Sequence, residues 1–204
     1  MMIIGLCGSS GSGKGYVSNM FYKHGIPSID TDLVYREKVL ANKSCVNELL
    51  ESFGNGILEN GLVSKKQLAK IVFEGEGASD RLKMLNEITH KYIKIETDLL
   101  VLEYEKAGKA AVLIDAPVLF ESGFDKMCHS VVCVTAPLEE KLDRIMKRDG
   151  ISKEKAMARL NAQLSDLELR KRCTYEIDNS NGKDVNGQIV SILKDLEVSG
   201  AGAC

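Results

Sequence analysis

The chain has 204 residues, of which 44% are hydrophobic and 27% charged, and its formal net charge at pH 7 is −2. This length and hydrophobic content are typical of one globular domain with a proper core. The charge balance excludes a general electrostatic attraction to nucleic acid or to an anionic membrane, so any affinity for phosphate must be local.

The sequence also lacks the usual features of an exported or membrane protein. No basic segment followed by a long apolar stretch opens the chain, so we expect no signal peptide, and no apolar run approaches the roughly 20 residues that span a bilayer. The six cysteines form no Cys-x-x-Cys pair, which favours reduced thiols. Together these features predict a cytoplasmic protein.

The N-terminal stretch predicts a buried strand, a phosphate-binding loop and the start of a helix. Apolar residues from Ile3 to Cys7 precede the sequence Gly8-x-x-x-x-Gly13-Lys14. In such a loop, glycines let backbone N–H groups converge on phosphate oxygens, the helix N-terminus adds positive potential, and the lysine supplies a mobile cation. The residues expected to bind a nucleotide are Gly8, Gly11, Ser12, Gly13, Lys14, Gly15 and Tyr16.

One position departs from this motif. Gly15 stands where Ser or Thr normally helps to hold Mg²⁺ through its hydroxyl. A glycine-serine turn without any ligand is the structural alternative for the whole stretch, and the lysine, the spacing and the preceding strand argue against it.

Strands and helices are predicted to alternate along the rest of the chain. Apolar or β-branched runs predict strands at 26–30, 110–115, 130–134 and 175–178, with glycine-rich loop sequence at 54–61. Apolar periodicity predicts helices at 33–40, 44–53, 65–73, 79–106, 138–146, 153–164 and 185–196, followed by a frayed tail at 199–204. This alternation predicts an α/β fold with a doubly wound parallel sheet of about five strands.

The helix at 79–106 has the clearest periodicity in the sequence. One apolar stripe is expected to face the core and consists of Leu82, Leu85, Ile88, Tyr92, Ile95, Leu99 and Leu102. His90 falls off this stripe, so we expect it to face solvent or a cleft.

Three carboxylates follow predicted strands, and the carboxyl ends of parallel strands are where ligands bind in such sheets. Asp30 and Asp32 close the second strand, and one of these carboxylates could orient and deprotonate an acceptor hydroxyl while the other holds a metal-bound water. The alternative is that Asp32 only N-caps a helix beginning at Leu33. Asp115 closes the third strand and could hold Mg²⁺ directly or through water, the alternative being a cap of the following turn.

Two predicted helices follow the fourth strand, and each has one polar face that carries cations; the face of the second helix also carries a glutamine. Lys141, Arg144 and Arg148 are spaced three and four apart, and Arg159 and Gln163 share a face of the next helix. Two such helices joined at a glycine could close as a lid over a triphosphate. The alternative is a solvated charged face paired with neighbouring acidic residues.

In their order and spacing, these motifs resemble the dephospho-CoA kinase family from Met2 to about Leu196. The departures from the family pattern are Gly15-Tyr16, Lys65 and Lys91. The matching segments are the phosphate loop, Asp30-Thr31-Asp32-x-x-x-Arg36-Glu37, Ile88-Thr89-His90, Asp115–Glu121, Arg144–Gly150 with Arg159 and Gln163, and Ile177-Asp178-Asn179.

The resemblance implies ATP-dependent phosphorylation of the ribose 3′-hydroxyl of dephospho-CoA, the last step of coenzyme A biosynthesis, with Mg²⁺. It implies one P-loop kinase domain at 1–204, including a helical CoA-side region at about 40–108 and a lid at about 141–172. Asp32 would be the base and Lys14 would contact the transferred phosphate. Arg144 and Arg148 would be cations of the lid, and Arg144 is counted with Asp32 and Lys14 as catalytic. The residues implied to bind the acceptor are Asp32, Arg36, His90, Pro117, Leu119, Phe120 and Glu121.

ATP and dephospho-CoA are the only partners that the resemblance implies; we expect no nucleic acid or membrane partner, and we favour a monomer. Two other functions remain open at this point. The same core and lid would suit a kinase for another nucleoside-like acceptor, and Gly15 would suit a nucleotide-binding pseudokinase or switch.

Overall fold

The computed structural model describes residues 1–198, and the tail at 199–204, which was expected to fray, lies outside them. Within this range the chain forms seven strands and nine α-helices. The strands are β1 (Met2–Cys7), β2 (Ser28–Asp30), β3 (Leu58–Glu59), β4 (Leu62–Val63), β5 (Ala111–Asp115), β6 (Ser130–Thr135) and β7 (Tyr175–Asp178). The helices are α1 (Lys14–Lys23), α2 (Thr31–Glu37), α3 (Lys43–Phe53), α4 (Lys65–Phe73), α5 (Ala78–Lys106), α6 (Leu138–Asp149), α7 (Lys153–Asn161), α8 (Asp166–Arg172) and α9 (Val185–Asp195).

The chain divides into two compact units. The first unit comprises Met1–Asp30 and the chain from Val101 onward, and the second comprises Thr31–Leu100. No helix of the described residues is both long and apolar enough to cross a membrane.

The first unit is built on a five-stranded sheet in the order β2-β5-β1-β6-β7, and every neighbouring pair is parallel. This confirms the predicted doubly wound α/β sheet. One face of the sheet packs on α1 and α9 through a cluster that includes Leu6, Phe21, Val132 and Ile189. Parallel strands covered by helices are apolar on both faces, which is why β5 and β6 read as continuous apolar runs in the sequence.

Helices α6 and α7 form a smaller core of their own in the first unit. Leu142, Ile145 and Ala156 are fully buried there. Gly150 ends α6 in the left-handed conformation, with φ 64°, where a glycine is the least strained residue. Leu138, the first residue of α6, lies outside this core and is 46% exposed.

The second unit contains α2, α3, the β3–β4 hairpin, α4 and most of α5. Ser64 caps α4, because its hydroxyl accepts a hydrogen bond from the backbone N–H of Gln67 at 3.4 Å. The hairpin was predicted only as loop. It turns at Asn60 and Gly61, whose φ angles of 53° and 79° are those that a two-residue hairpin turn requires.

The long helix is confirmed, but the predicted apolar stripe is wrong over its second half. Ile95, Leu99 and Leu102 are 44–50% exposed. The residues that α5 buries are Ile88, Thr89, Tyr92, Ile93 and Thr97. Thr89 can be buried because its hydroxyl donates to the Leu85 carbonyl at 2.8 Å, so the buried face is set by packing rather than by hydrophobicity alone.

Candidate active site

The loop between β1 and α1 depends on glycines for its path. A Cβ atom at Gly8 would lie 2.6 Å from the carbonyl oxygen of Val134, and Gly13 has φ 93°, a value that other residues rarely adopt. Gly13 stands at the N-cap of α1 and has no side chain to satisfy the first-turn N–H groups. The backbone therefore presents donors at a helix N-terminus, which is a favourable position for an anion.

Lys14 lies at the carboxyl end of the sheet beside Asp115. Its Nζ donates to Asp115 Oδ1 at 3.0 Å, and the two side chains are only 19% and 16% exposed. The strand register explains the pairing, because Leu6 of β1 lies opposite Asp115 of β5. Asp30, at the end of β2, is the register partner of Asp115 on the other side. Two of the three predicted carboxylates thus end neighbouring strands at this edge.

The Ser12 hydroxyl is the one polar group in the loop that burial leaves unsatisfied among residues 1–198. Its Oγ is buried and has no hydrogen-bond partner. Such a group costs about 1–3 kcal/mol when it stays unpaired, and native proteins retain few of them. The Ser12 hydroxyl is therefore a buried donor without a partner inside the predicted phosphate-binding loop.

Gly15 and Tyr16 lie in the first turn of α1, directly after Lys14. Both are exposed, Tyr16 by 54%. A Cβ atom at Gly15 would meet no atom within 4 Å, so the absence of a side chain here is not a requirement of packing.

Lys141 of α6 and Asp166 of α8 both contact Ser9 of the phosphate loop. Lys141 Nζ donates to Ser9 Oγ at 3.2 Å and to Asp166 Oδ2 at 2.9 Å, and Ser9 Oγ donates to Asp166 Oδ1 at 2.9 Å. Lys141 is 7% exposed, so its predicted place on an open cationic face is wrong. Asp166 neutralises it, which is how a lysine can be buried at this position.

Arg144 belongs to the loop as much as to its helix. Its Nη1 donates to the carbonyls of Gly11 at 3.3 Å and Ser12 at 3.4 Å. Its Nη2 donates to Glu140 at 2.8 Å and to the carbonyl of Asn179 at 2.9 Å. The guanidinium is therefore fixed in position beside the phosphate loop.

Asn179 closes the same network from the end of β7. Its Nδ2 donates to the Ser12 carbonyl at 2.8 Å. The resemblance pointed to the Ile177-Asp178-Asn179 segment without giving Asn179 a contact, because only the fold brings the ends of β1 and β7 near each other.

Arg148 and Gln163 contact Ser10 at the outer edge of the loop. Arg148 Nη2 lies 3.4 Å from Ser10 Oγ, and Gln163 Oε1 accepts from the Ser10 N–H at 2.8 Å. Arg148 also donates to Asp149, as does Arg159, and these bonds lower the pKa of Asp149 to about 2. The first predicted lid helix thus touches the loop through Arg148, whereas the predicted place of Gln163 on the second helix is wrong, because α7 ends at Asn161 and Gln163 contacts Ser10 from the turn that follows. Part of the charge of these helices is paired with acidic residues.

A pocket lies beside the first residues of the loop and contains the segment predicted to bind the acceptor. Gly8 and Ser9 line it together with Pro117, Leu119, Phe120 and Glu121, and Gln163 borders it. The guanidinium of Arg172 lies 5.4 Å from the centre of the Phe120 ring, a distance typical of cation–π contacts. The lining of this pocket combines apolar side chains, such as Leu119 and Phe120, with polar ones, such as Ser9 and Glu121.

Three predicted site residues belong to the second unit. Asp32 is exposed within the first turn of α2, which begins at Thr31, so the alternative in which it caps a helix starting at Leu33 is wrong. Arg36 Nε donates to the carbonyl of Asp32 at 3.2 Å. His90 is half-buried on α5, and burial lowers its pKa.

These features define a P-loop kinase. The parallel sheet carries a phosphate-binding loop after its first strand and a carboxylate at the end of the neighbouring strand, and arginines are fixed over the loop. The family model described as dephospho-CoA kinase matches residues 2–184. The dephospho-CoA kinase of Bacillus licheniformis is 35% identical over 94% of this chain and 95% of its own.

Solved structures agree with this family match. The crystal structure of TT1252 from Thermus thermophilus has a TM-score of 0.78 at 32% identity, covering 96% of this chain and 97% of that one. The dephospho-CoA kinase from Campylobacter jejuni has a TM-score of 0.68 at 26% identity, covering 95% and 96%. The chain belongs to the dephospho-CoA kinase family. It is thus a transferase that uses ATP to phosphorylate dephospho-CoA in coenzyme A biosynthesis.

Proposed function

We propose that this chain transfers the γ-phosphate of ATP to the ribose 3′-hydroxyl of dephospho-CoA with the residues described above. The observation that carries the assignment is that Lys14 and Arg144 are both held at the phosphate loop, each by its own acidic partner, with Arg144 also donating to the Gly11 and Ser12 carbonyls. Two cations fixed there can stabilise charge on a transferring phosphoryl group without reorganising during the reaction.

On the nucleotide side, we assign the loop residues Gly8 to Tyr16 to the phosphates of ATP. The first-turn N–H groups of α1 would bind phosphate oxygens, and the unpaired Ser12 hydroxyl would donate to one of them. Arg148, already 3.4 Å from Ser10 at the loop edge, would add a second lid cation.

On the acceptor side, we assign binding in the first unit to the pocket beside Gly8, and we propose roles for three residues of the second unit separately. Pro117, Leu119, Phe120 and Glu121 would line the site for dephospho-CoA. Asp32 would accept the proton of the 3′-hydroxyl, and Arg36 and His90 would bind the acceptor. Asp32 is exposed in the first turn of α2.

The residues at the sheet edge fit a magnesium ion. Asp115 offers a largely buried carboxylate beside the phosphate loop, and Mg²⁺ needs only one or two protein carboxylates because it keeps several waters. Asp115 would hold the ion, and Gly15 would leave one ligand position to water. When bound, Mg²⁺ neutralises charge on the nucleotide phosphates.

We further propose that residues 1–204 act as a single P-loop kinase domain, with a helical CoA-side region at about 40–108 and a lid at about 141–172. The protein would act as a cytoplasmic monomer whose partners are its small-molecule substrates.

A coupled assay for ADP tests the proposed reaction. ADP should form from ATP only when dephospho-CoA and Mg²⁺ are both present, and the product should carry the new phosphate at the 3′ position. Nucleosides and nucleoside monophosphates serve as competing acceptors in the same assay. Faster turnover of one of them, or ADP formation without an acceptor, would contradict the proposal.

Restoring the missing hydroxyl tests the metal side of the site. We expect Gly15→Ser to lower the Mg²⁺ concentration for half-maximal activity by about 10-fold, the lower end of what one metal-orienting group contributes. The open space around Gly15 allows the change. Gly15→Ala is the matched control, because it adds the same Cβ without an oxygen. Equal Mg²⁺ requirements in the two variants would show that the hydroxyl has no role.

A further inference from the structure

Three cysteines converge directly behind the phosphate loop. The sulfur atoms of Cys7, Cys133 and Cys173 all lie within 4.8 Å of one another, and Cys7 and Cys173 are 3.3 Å apart. Cys7 is the last residue of β1, next to Gly8, and Cys133 is its register partner on β6. Cys173 follows α8, the helix whose first residue is Asp166. Three separate segments therefore contribute one thiol each.

The strand periodicity explains why two of these thiols share a side of the sheet. Leu6 and Val132 pack on α1 and α9, so the next residue of each strand, Cys7 and Cys133, projects from the opposite face. Cys7 is 3% exposed and Cys133 is fully buried, whereas Cys173 is half-buried. The cluster is thus closed on the sheet side and reachable from the side of Cys173.

The spacing of the sulfur atoms suits one coordinated ion. Three thiolates bound to a tetrahedral zinc ion at about 2.3 Å lie about 3.8 Å apart. In this cluster the Cys7 and Cys173 sulfur atoms are 3.3 Å apart, about half an ångström below that value, and no pair is more than 4.8 Å apart, about one ångström above it. Side-chain adjustments of roughly half an ångström to one ångström would therefore give each sulfur a metal bond.

We propose that Cys7, Cys133 and Cys173 form a three-thiolate site for one thiophilic cation, with Zn²⁺ as the first candidate. Binding forms three metal–sulfur bonds, and protons still held by the thiols pass to solvent, so no electrons are transferred. Soft sulfur ligands select such ions over Mg²⁺, which keeps this site separate from the oxygen ligand Asp115. A disulfide would use only two of the three sulfur atoms and would require an oxidant.

The site would connect the phosphate loop to the segment that follows α8. Cys7 precedes Gly8, and α8 supplies Asp166 to the Ser9 hydroxyl. Because an ion that binds only the folded protein stabilises it, Zn²⁺ at 100 times its Kd should raise the Tm by about 5–10 °C.

Cobalt titration of the reduced, metal-free protein tests the proposal without measuring kinase activity. Co²⁺ should produce a thiolate charge-transfer band that saturates at one equivalent and disappears when Zn²⁺ is added. Cys173→Ala should abolish the band, and its half-buried position makes it the variant least costly to packing. Cys45→Ala, which removes a buried cysteine of the second unit, is the matched control and should keep the band.

Cys133→Ala provides a second test, and this variant should also lose the cobalt band. Circular dichroism checks that the variant is folded. If Cys133→Ala does not fold, the band of Cys173→Ala decides whether the thiolate site exists. The proposal is overturned if the reduced wild-type protein gives no band, if Cys173→Ala keeps the wild-type band, or if Cys45→Ala loses it. Isolation of a Cys7–Cys173 disulfide that persists in the presence of Zn²⁺ would also overturn it.

Discussion

Replacing Lys14 with alanine is expected to lower kcat by about 10²- to 10³-fold, the usual worth of one preorganised donor to developing charge. The ammonium of Lys14 donates to Asp115 at 3.0 Å, which holds it at the carboxyl end of the sheet. Its loss removes positive charge from the position where β- and γ-phosphates bind in such loops. Nucleotide affinity should fall together with turnover, and calorimetry with a non-hydrolysable ATP analogue measures it separately.

The control for this variant must separate charge at the site from stability. Lys23→Ala removes an exposed lysine from the last turn of the same helix and should leave both quantities near their wild-type values. Because Lys14→Ala also deprives the largely buried Asp115 of an ion-pair partner, a thermal melt establishes that the variant is folded. Unchanged nucleotide affinity in a folded Lys14→Ala protein would contradict the loop assignment.

The phosphate loop could be predicted in detail because its chemistry is local in sequence. Gly8, Gly13 and Lys14 are fixed by the conformation that a short turn must adopt between a strand and a helix. The parallel sheet could also be predicted, since continuous apolar runs such as 111–115 and 130–135 are needed where both faces of a sheet are covered. The carboxylates at the strand ends followed from the same rule.

The contacts that cover the loop could not be predicted, because they join segments far apart in the chain. Lys141 looked like one more exposed cation, yet it is buried against Asp166. Neither α8 nor a role for its first residue, Asp166, was predicted, although the sequence contains a helix-start signal there. Ser165 and Glu168 form a capping box, and that Ser-x-x-Glu spacing could have located the helix start.

The second half of the predicted apolar stripe on α5 is exposed, which shows what helical periodicity alone cannot predict. Ile95 and Leu99 have the spacing of a buried face, but the helix buries Ile93 and Thr97 instead. Periodicity predicts that a helix forms and that one face is apolar. It cannot predict which neighbours the fold supplies, and packing against those neighbours decides which side chains lose contact with water.

Asp32→Asn is expected to lower kcat by about 10²- to 10⁴-fold while ATP affinity stays near the wild-type value, if Asp32 accepts the proton of the acceptor hydroxyl. Asparagine has the same shape but cannot take a proton at neutral pH. Single-turnover measurements with saturating dephospho-CoA report the chemical step, and equilibrium titration reports ATP binding.

Asp32 also lies in the first turn of α2, where a negative charge stabilises a helix by about 0.3–1 kcal/mol. Asp80→Asn is therefore the matched control, because Asp80 is an exposed carboxylate in the first turn of α5 within the same unit. If Asp32 only stabilises its helix, both variants will lose similar small amounts of stability and neither will lose turnover. A base, by contrast, gives a large kinetic loss in Asp32→Asn alone, because the helix-dipole contribution cancels in the comparison.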